Sequence, residues 1–243
     1  MTRKYSLLLI VLTTCGISCN KENAWDCVKT TGSVEQEVRI VGDFTQIQLN
    51  QGINLILTQS ATKSLVVEAG KNLLGKITTI VDNGTLVIKN NNRCNWTRSY
   101  KKDINLYLNV SVLGSITHNG YGKITSTNTL TSSNWRIDVI GNGDVELDIN
   151  APVFYSGIYG SGTLSLTGTV VDYGLWVSGN AWVWCQSLNA DNVFITSGST
   201  GDAYVTAKYR FKGVISNIGD IYYSGNPSDV TLETTGSGSF IVN

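Results

Sequence analysis

The sequence has few of the residues that most catalytic and metal sites require. It contains one histidine, His118, in 243 residues, so a metal site with several histidines is excluded and a histidine-based triad has only this residue to use. Charged residues make up 15% of the chain, against about a quarter in typical soluble domains. The formal net charge is zero. Because nucleic-acid binding normally requires a basic excess, we expect no nucleic-acid partner.

The common catalytic motifs are also missing. The chain has no Gly-x-Ser-x-Gly elbow, phosphate-binding P-loop, His-Glu-x-x-His or Cys-x-x-Cys, and each of these carries a specific chemistry. His118 lies between Ile116 and Gly120, with no recognisable partner for proton transfer, and we predict that it is a solvated or turn histidine. We therefore expect a protein without catalytic activity and without a cofactor.

The residues that are abundant favour short strands. Glycine occurs 25 times and proline only twice, and Thr, Ser and Asn fill much of the remainder. This mixture suits strands joined by tight turns and suits long helices poorly. No stretch keeps a helical hydrophobic period over three turns.

Residues 1–19 are typical of a bacterial lipoprotein signal peptide. Arg3 and Lys4 precede a short apolar run at 7–12, which is too short to cross a bilayer. Two cysteines follow, and we predict that Cys19 is lipidated because small Ser18 precedes it and the polar residues 20–27 form a tether. Cys15 has the better-placed leucine, Leu12, and stays the alternative anchor. The prediction is an outer-membrane lipoprotein that faces the periplasm or the cell surface.

Export makes a disulfide feasible. Cys27 and Cys94 lie in polar, loop-like sequence, whereas Cys185 alternates with Val183 in a strand pattern. We predict a Cys27–Cys94 disulfide and a buried free thiol at Cys185.

The C-terminal half repeats at a nearly fixed interval. A pair of small residues, usually Gly-x-Gly, recurs with its second member at positions 122, 143, 162, 181, 201, 219 and 238, so the intervals are 18 to 21 residues. Within each unit, apolar and polar residues alternate with period two, as along Trp135–Ile149. The pattern predicts an all-β fold, a right-handed β-helix-like solenoid with coils of about 19 residues. A β-sandwich is the alternative, because it also has many short strands.

The N-terminal half also consists of short alternating segments, but they recur less regularly. We expect one body over 28–243, with irregular coils over 28–112 and regular coils over 113–243. The Asp82-Asn83-Gly84 segment is a tight-turn signal.

Stacked coils turn sequence intervals into columns of side chains. One outward column is predicted to contain Trp184, Tyr204 and Tyr222 on three successive coils, with Trp182 and Trp176 nearby. Exposed aromatic rings are suited to contact with sugar rings or protein partners. The alternative is a self-packed ladder that only stiffens the sheet.

A second outward column places Asp202 beside Asp220, about 5 Å apart on adjacent coils. Two carboxylates at this distance can recruit a cation such as calcium or perform acid–base chemistry on a polysaccharide. The alternative is a pair of solvated turn residues, because Asp after Gly is ordinary turn chemistry.

Several ordered segments resemble one known family. They are Cys27–Gly32, Phe44–Leu49, Gln51–Leu55, Val67–Leu74, Thr85–Ile88, Asn92–Trp96 and the Gly-x-Gly repeats. Together they resemble the Bacteroidota lipoproteins described as "putative auto-transporter adhesin, head GIN domain". The resemblance covers nearly the whole mature chain and implies a β-helix-like fold in an envelope lipoprotein. It implies no catalytic residues.

Three functions are consistent with these observations. The first is a non-catalytic binding or adhesion module that recognises a glycan or an envelope protein. The second is a polysaccharide-acting enzyme on a β-helix scaffold, and the third is a purely structural envelope protein. The absence of a catalytic constellation favours the first and the third.

Overall fold

A computed structural model describes residues 29–93 and 103–243. Within these residues the chain forms eighteen strands in one continuous sheet and one short helix. The elements are β1 (Val34–Arg39), β2 (Gln46–Asn50), β3 (Asn54–Gln59), β4 (Ser64–Gly70), α1 (Lys71–Leu74), β5 (Ile77–Asp82), β6 (Thr85–Asn90), β7 (Asn105–Val110), β8 (Ser115–Gly120), β9 (Lys123–Ser126), β10 (Leu130–Thr131), β11 (Asn134–Gly141), β12 (Asp144–Gly160), β13 (Thr163–Gly179), β14 (Trp182–Ser199), β15 (Ala203–Ile215), β16 (Ile221–Ser224), β17 (Asp229–Thr234) and β18 (Phe240–Val242).

The sheet winds into a solenoid. Strands β8 to β18 pair in parallel with the strands one coil away, and residue 145 pairs with 164, 164 with 183, and 183 with 203. The long strands β12 to β15 each extend along most of one coil, between successive pairs of small residues. The predicted solenoid with coils of about 19 residues is confirmed, and the β-sandwich alternative is wrong.

The first coils are stacked in a different order from the sequence. Strands β2 and β3 lie between β6 and β7 on one side and β8 and β9 on the other. The chain therefore completes one coil, leaves it, and returns to add the next coil on its outer side.

Antiparallel strands cover this outer coil. Strand β4 pairs with β7, β5 pairs with β6, and β1 pairs with β4. The turn from β5 to β6 consists of Asn83 and Gly84, both with positive φ (48° and 75°), as a two-residue hairpin of type I′ requires.

The core consists of columns of inward side chains. Trp135, Phe154 and Tyr173 form one column, with ring centroids 4.6 and 5.8 Å apart. Cys185 is fully buried and is a free thiol, as predicted, and burial raises its pKa to about 12. Its Sγ lies 3.7 Å from the hydroxyl of Tyr173.

The repeated glycines allow the coils to approach at a corner. A Cβ atom at Gly162 would overlap the carbonyl oxygen of Gly143 on the coil below. The small-residue pair therefore marks the bend that separates two rows of strands, here called the entry row (before the pair) and the exit row (after it).

The predicted signal peptide, Cys19, Cys27 and Cys94 lie outside the described residues. The Cys27–Cys94 disulfide therefore stays a prediction, which peptide mapping without reduction decides. Among the described residues, no helix has the length and hydropathy needed to cross a membrane.

Candidate aromatic binding surface

Four outward aromatic residues form a continuous stack on the exit row, here called the aromatic ladder: Trp182, Trp184, Tyr204 and Tyr222. The parallel register places Trp184 opposite Tyr204 and Tyr204 opposite Tyr222. Their ring centroids are 4.6 and 4.5 Å apart, and their planes differ by 10° and 9°. Trp182 stacks on Trp184 at 6.0 Å. The structure thus brings together four of the five aromatic residues singled out from the sequence.

The ladder is outward because the residues that alternate with it fill the core. Val183 and Cys185 point inward on β14, and Ala203 and Val205 do so on β15. Trp182 and Trp184 each keep 38% of their surface exposed, and the two tyrosines are half-buried. Exposed rings of this size place a contiguous apolar patch on the surface.

Trp176, which was predicted to lie near these residues, does not stack in the ladder. It lies on the entry row, where it pairs with Gly157 and Thr196. Its ring contacts are Tyr155, at 5.9 Å, and the guanidinium of Arg136, at 5.3 Å. The corner at Gly179–Ala181 separates it from Trp182, although the two are only six positions apart in sequence.

Polar residues line both edges of the ladder. On one edge, the Asp202 side chain accepts a hydrogen bond from the backbone N–H of Asp220 (2.9 Å), and the Asp220 side chain accepts one from Ser239 (2.7 Å). On the other edge, the hydroxyls of Thr206 and Ser224 lie 2.8 Å apart. Burial, reinforced by neighbouring Tyr204 and the two aspartates, raises the pKa of Tyr222.

The two aspartates therefore hold adjacent coils together. Asp144 makes the same bond to the backbone N–H of Thr163 (2.9 Å), and Asn54 does so to Lys123 (3.0 Å). Within the described residues, no group of three or more His, Cys, Asp or Glu side chains is placed to hold a metal ion. Calcium binding by Asp202 and Asp220 stays a hypothesis, and the geometry assigns them a backbone-bonding role.

His118 is not the solvated or turn histidine predicted from the sequence. It is fully buried in an inward column between Leu49 and Val139, and its Nε2 lies 3.2 Å from the carbonyl oxygen of Gly122. Burial is the main cause that lowers its pKa. A side chain in this position has no access to an external substrate.

Sequence reasoning missed a second aromatic surface, here called the aromatic patch: Tyr155, Tyr159 and Trp176 on the entry row. Each of the two tyrosine rings covers a glycine. A Cβ at Gly157 would lie 2.5 Å from the Tyr159 ring, and a Cβ at Gly174 would lie 2.5 Å from that of Tyr155. The intervals that placed the ladder residues in one column, applied to the strand before each glycine pair, would have identified this patch.

An ion pair organises the aromatic patch. The Arg136 guanidinium donates two hydrogen bonds to the Asp138 carboxylate, at 2.5 and 2.8 Å, and one to the hydroxyl of Tyr159, at 3.3 Å. The Asp138 carboxylate is the main cause that raises the pKa of Arg136. The patch is thus organised by an ion pair, whereas the rings of the aromatic ladder stack directly on one another.

Solved structures with the same fold come from Bacteroides and Parabacteroides species. The chain is similar to a "putative adhesin" from Bacteroides fragilis, with a TM-score of 0.82 and 21% identity over 88% of this chain and 100% of that chain. It is also similar to a "putative lipid binding protein" from Parabacteroides distasonis, with a TM-score of 0.70 and 19% identity over 88% and 99% of the two chains. At these identities the likeness establishes the fold. Comparison with functionally curated proteins finds no match.

A family model covers most of the chain. The model described as "putative auto-transporter adhesin, head GIN domain" matches residues 43–227, which include every coil that carries the aromatic ladder and the aromatic patch. The resemblance noted in the sequence is thus confirmed. The chain belongs to the family described as putative auto-transporter adhesin, head GIN domain.

Proposed function

We propose that this protein is a non-catalytic binding or adhesion module of the bacterial cell envelope and that the aromatic ladder is its contact surface. The observation that carries the proposal is the stack of four outward rings on three successive coils. Aromatic residues are enriched at binding hot spots because they present a large apolar area with few rotatable bonds. The ligand class is a glycan or an envelope protein.

The comparisons support a role in binding. The family description and the Bacteroides fragilis neighbour both carry the word adhesin, and the Parabacteroides distasonis neighbour is described as lipid binding. None of these descriptions names an enzyme activity. The proposed location is the outer membrane, with acyl chains on Cys19 as the anchor, because residues 1–19 have the form of a lipoprotein signal.

A pair of matched triple variants tests the contact surface. Trp184, Tyr204 and Tyr222 are replaced together by serine in one variant, and Tyr155, Trp176 and Phe194 in the other. Each set removes one tryptophan and two other rings from outward positions on three successive coils. Full-length protein in mild detergent is applied to an array of bacterial and host glycans and to purified outer-membrane proteins.

The proposal predicts that the ladder variant loses binding and that the entry-row variant keeps it, while both keep the wild-type circular dichroism. Binding that survives in a folded ladder variant, or that only the entry-row variant loses, contradicts the proposed surface. The anchor is tested separately, because Cys19→Ala is expected to move the protein from the membrane fraction to the soluble fraction. If only Cys15→Ala does so, Cys15 is the anchor.

A further inference from the structure

The aromatic ladder ends abruptly at one of its two ends. On the coil before it, Thr163 pairs with Trp182 and Ser165 pairs with Trp184. These side chains are too small to cover an indole ring, so the face of Trp184 turned away from Tyr204 and the face of Trp182 on the same side stay open. The greater exposure of the two tryptophans relative to the tyrosines agrees with one uncovered face each.

The opposite end of the ladder is closed. Ile241 pairs with Tyr222 on the next coil and is half-buried, so its branched side chain lies at the level where another ring would stack. The ladder therefore has one free face, on the side of Thr163 and Ser165.

Charged residues form the far side of this opening, one coil further on. Asp144 continues the column of Trp182 and Thr163, and Glu146 continues the column of Trp184 and Ser165, since Glu146 pairs with Ser165. Lys123 pairs in register with Asp144 and makes an ion pair with Glu146. The opening, here called the step, has indole rings on one side, hydroxyls below and an ion pair on the other side.

The dimensions of the step suit one flat ring. Neighbouring rings within the ladder lie 4.5 and 4.6 Å apart, so a ring seated on Trp184 lies at the level of Ser165. Strands two coils apart are separated by about 9.6 Å, twice the usual strand spacing of about 4.8 Å. A single ring therefore fits between Trp184 and Glu146, with its edge toward the two hydroxyls.

The polar groups around the step determine the chemistry of that ring. The side-chain hydroxyls of Thr163 and Ser165 have no hydrogen-bond partner within the described part of the chain, and the neighbouring Asp144, Glu146 and Lys123 are exposed. An aromatic side chain of a protein partner would leave these groups without bonds, which costs free energy when they are desolvated. A sugar ring has an apolar C–H face for the indoles and hydroxyls for the rim.

We propose that the step binds one neutral hexopyranose unit of a glycan, stacked on the indole rings of Trp182 and Trp184 and hydrogen-bonded to Thr163, Ser165 and Glu146. The two carboxylates and one ammonium of the rim give a net charge of −1, which disfavours sulfated, phosphorylated or uronic acid units. This inference rests on the proposed function, because it places the ligand at one end of the ladder and names its class.

The test fills the step without removing a ladder residue. Ser165→Tyr adds a fifth ring to the stack at its open end, and Ile241→Tyr, the matched control, adds a ring at the closed end. The full chain is labelled with ¹⁵N-tryptophan, and the indole N–H signals are recorded during titration with methyl glycosides of glucose, galactose, mannose and N-acetylglucosamine. Titration to a sugar concentration of about 10 mM is sufficient to detect binding with a Kd of about 1 mM, which corresponds to a binding free energy of about −4 kcal/mol.

The inference predicts that at least one glycoside shifts the Trp182 and Trp184 signals in the wild-type protein and in Ile241→Tyr, and that Ser165→Tyr weakens this binding at least tenfold. Undiminished binding in Ser165→Tyr overturns the step as the site. If none of the four sugars shifts the two signals, the hexopyranose assignment is also overturned. The proposed function fails separately, when the ladder variant keeps the binding seen with the array or with the outer-membrane proteins.

Discussion

A single methyl group at Gly168 is expected to destabilise the solenoid strongly. Gly168 has a φ of 105° within β13, a backbone conformation that residues with a side chain rarely adopt. A Cβ there would overlap the carbonyl oxygen of Ile149 on the coil below and lie 2.8 Å from the Asp148 carboxylate. Both the local conformation and the contact between coils therefore oppose Gly168→Ala.

The size of the effect follows from these two costs. A left-handed conformation costs a residue with a Cβ about 1–2 kcal/mol, and forcing an extra methyl group into a packed interior costs about 1–3 kcal/mol. The sum is about 2–5 kcal/mol, which corresponds to a fall in Tm of roughly 4–20 °C for a domain of this size. Thermal unfolding followed by circular dichroism and tryptophan fluorescence measures it.

Gly75→Ala is the matched control. Gly75 follows α1 with a φ of −65°, and a Cβ there meets nothing within 4 Å. This variant is expected to keep the wild-type Tm or to raise it slightly, since alanine reduces the entropy of the unfolded chain. If Gly168→Ala and Gly75→Ala unfold at the same temperature, close contact with the coil below does not explain why glycine occupies position 168.

Three further results are expected from the core. Burial lowers the pKa of His118 below its ordinary value of 6.5, so the folded state binds fewer protons there and stability falls as the pH drops below about 6.5. His118→Leu should remove this part of the pH dependence of urea unfolding. An unchanged pH dependence in this variant refutes the contribution of His118. Cys185, with a pKa of about 12, should react with an aromatic disulfide reagent only after unfolding, whereas labelling of the native protein contradicts its burial. Phe211 stacks on Tyr223 with centroids 4.4 Å apart, so Phe211→Ala should cost about 3–5 kcal/mol in urea unfolding, while Phe194→Ala at the surface should cost far less; equal losses argue against this column as core.

Periodicity in the sequence was sufficient to predict the coils and the main column. Parallel strands in register convert an interval of about 19 residues into a vertical neighbour. Trp184, Tyr204 and Tyr222 could therefore be placed on one surface without coordinates. Alternation also identified Cys185 as inward, because side chains on a strand point to opposite faces in turn.

The same logic failed where the chain turns a corner. Trp176 is close to Trp182 in sequence but lies on the other row of strands, because the bend at Gly179–Ala181 changes which face an outward side chain occupies. His118 was misplaced for a different reason, since its polar character suggested solvent exposure, whereas alternation along β8 puts it on the same inward face as Ile116. Alternation specifies a face relative to the strand and does not specify where that strand lies.

What the sequence by itself determined is the coil length, the inward and outward columns and the family. Only the tertiary structure decided the order in which the first coils stack, because strands β6 and β7 join the outer side of β2 and β3 through pairings between distant residues. It also decided that Trp176 lies on the entry row, because the bend at Gly179–Ala181 places it on a different row of strands from the aromatic ladder. Local sequence patterns specify which face of a strand each side chain occupies and the period of the coils. The position of one coil against another depends on packing between residues that are distant in sequence.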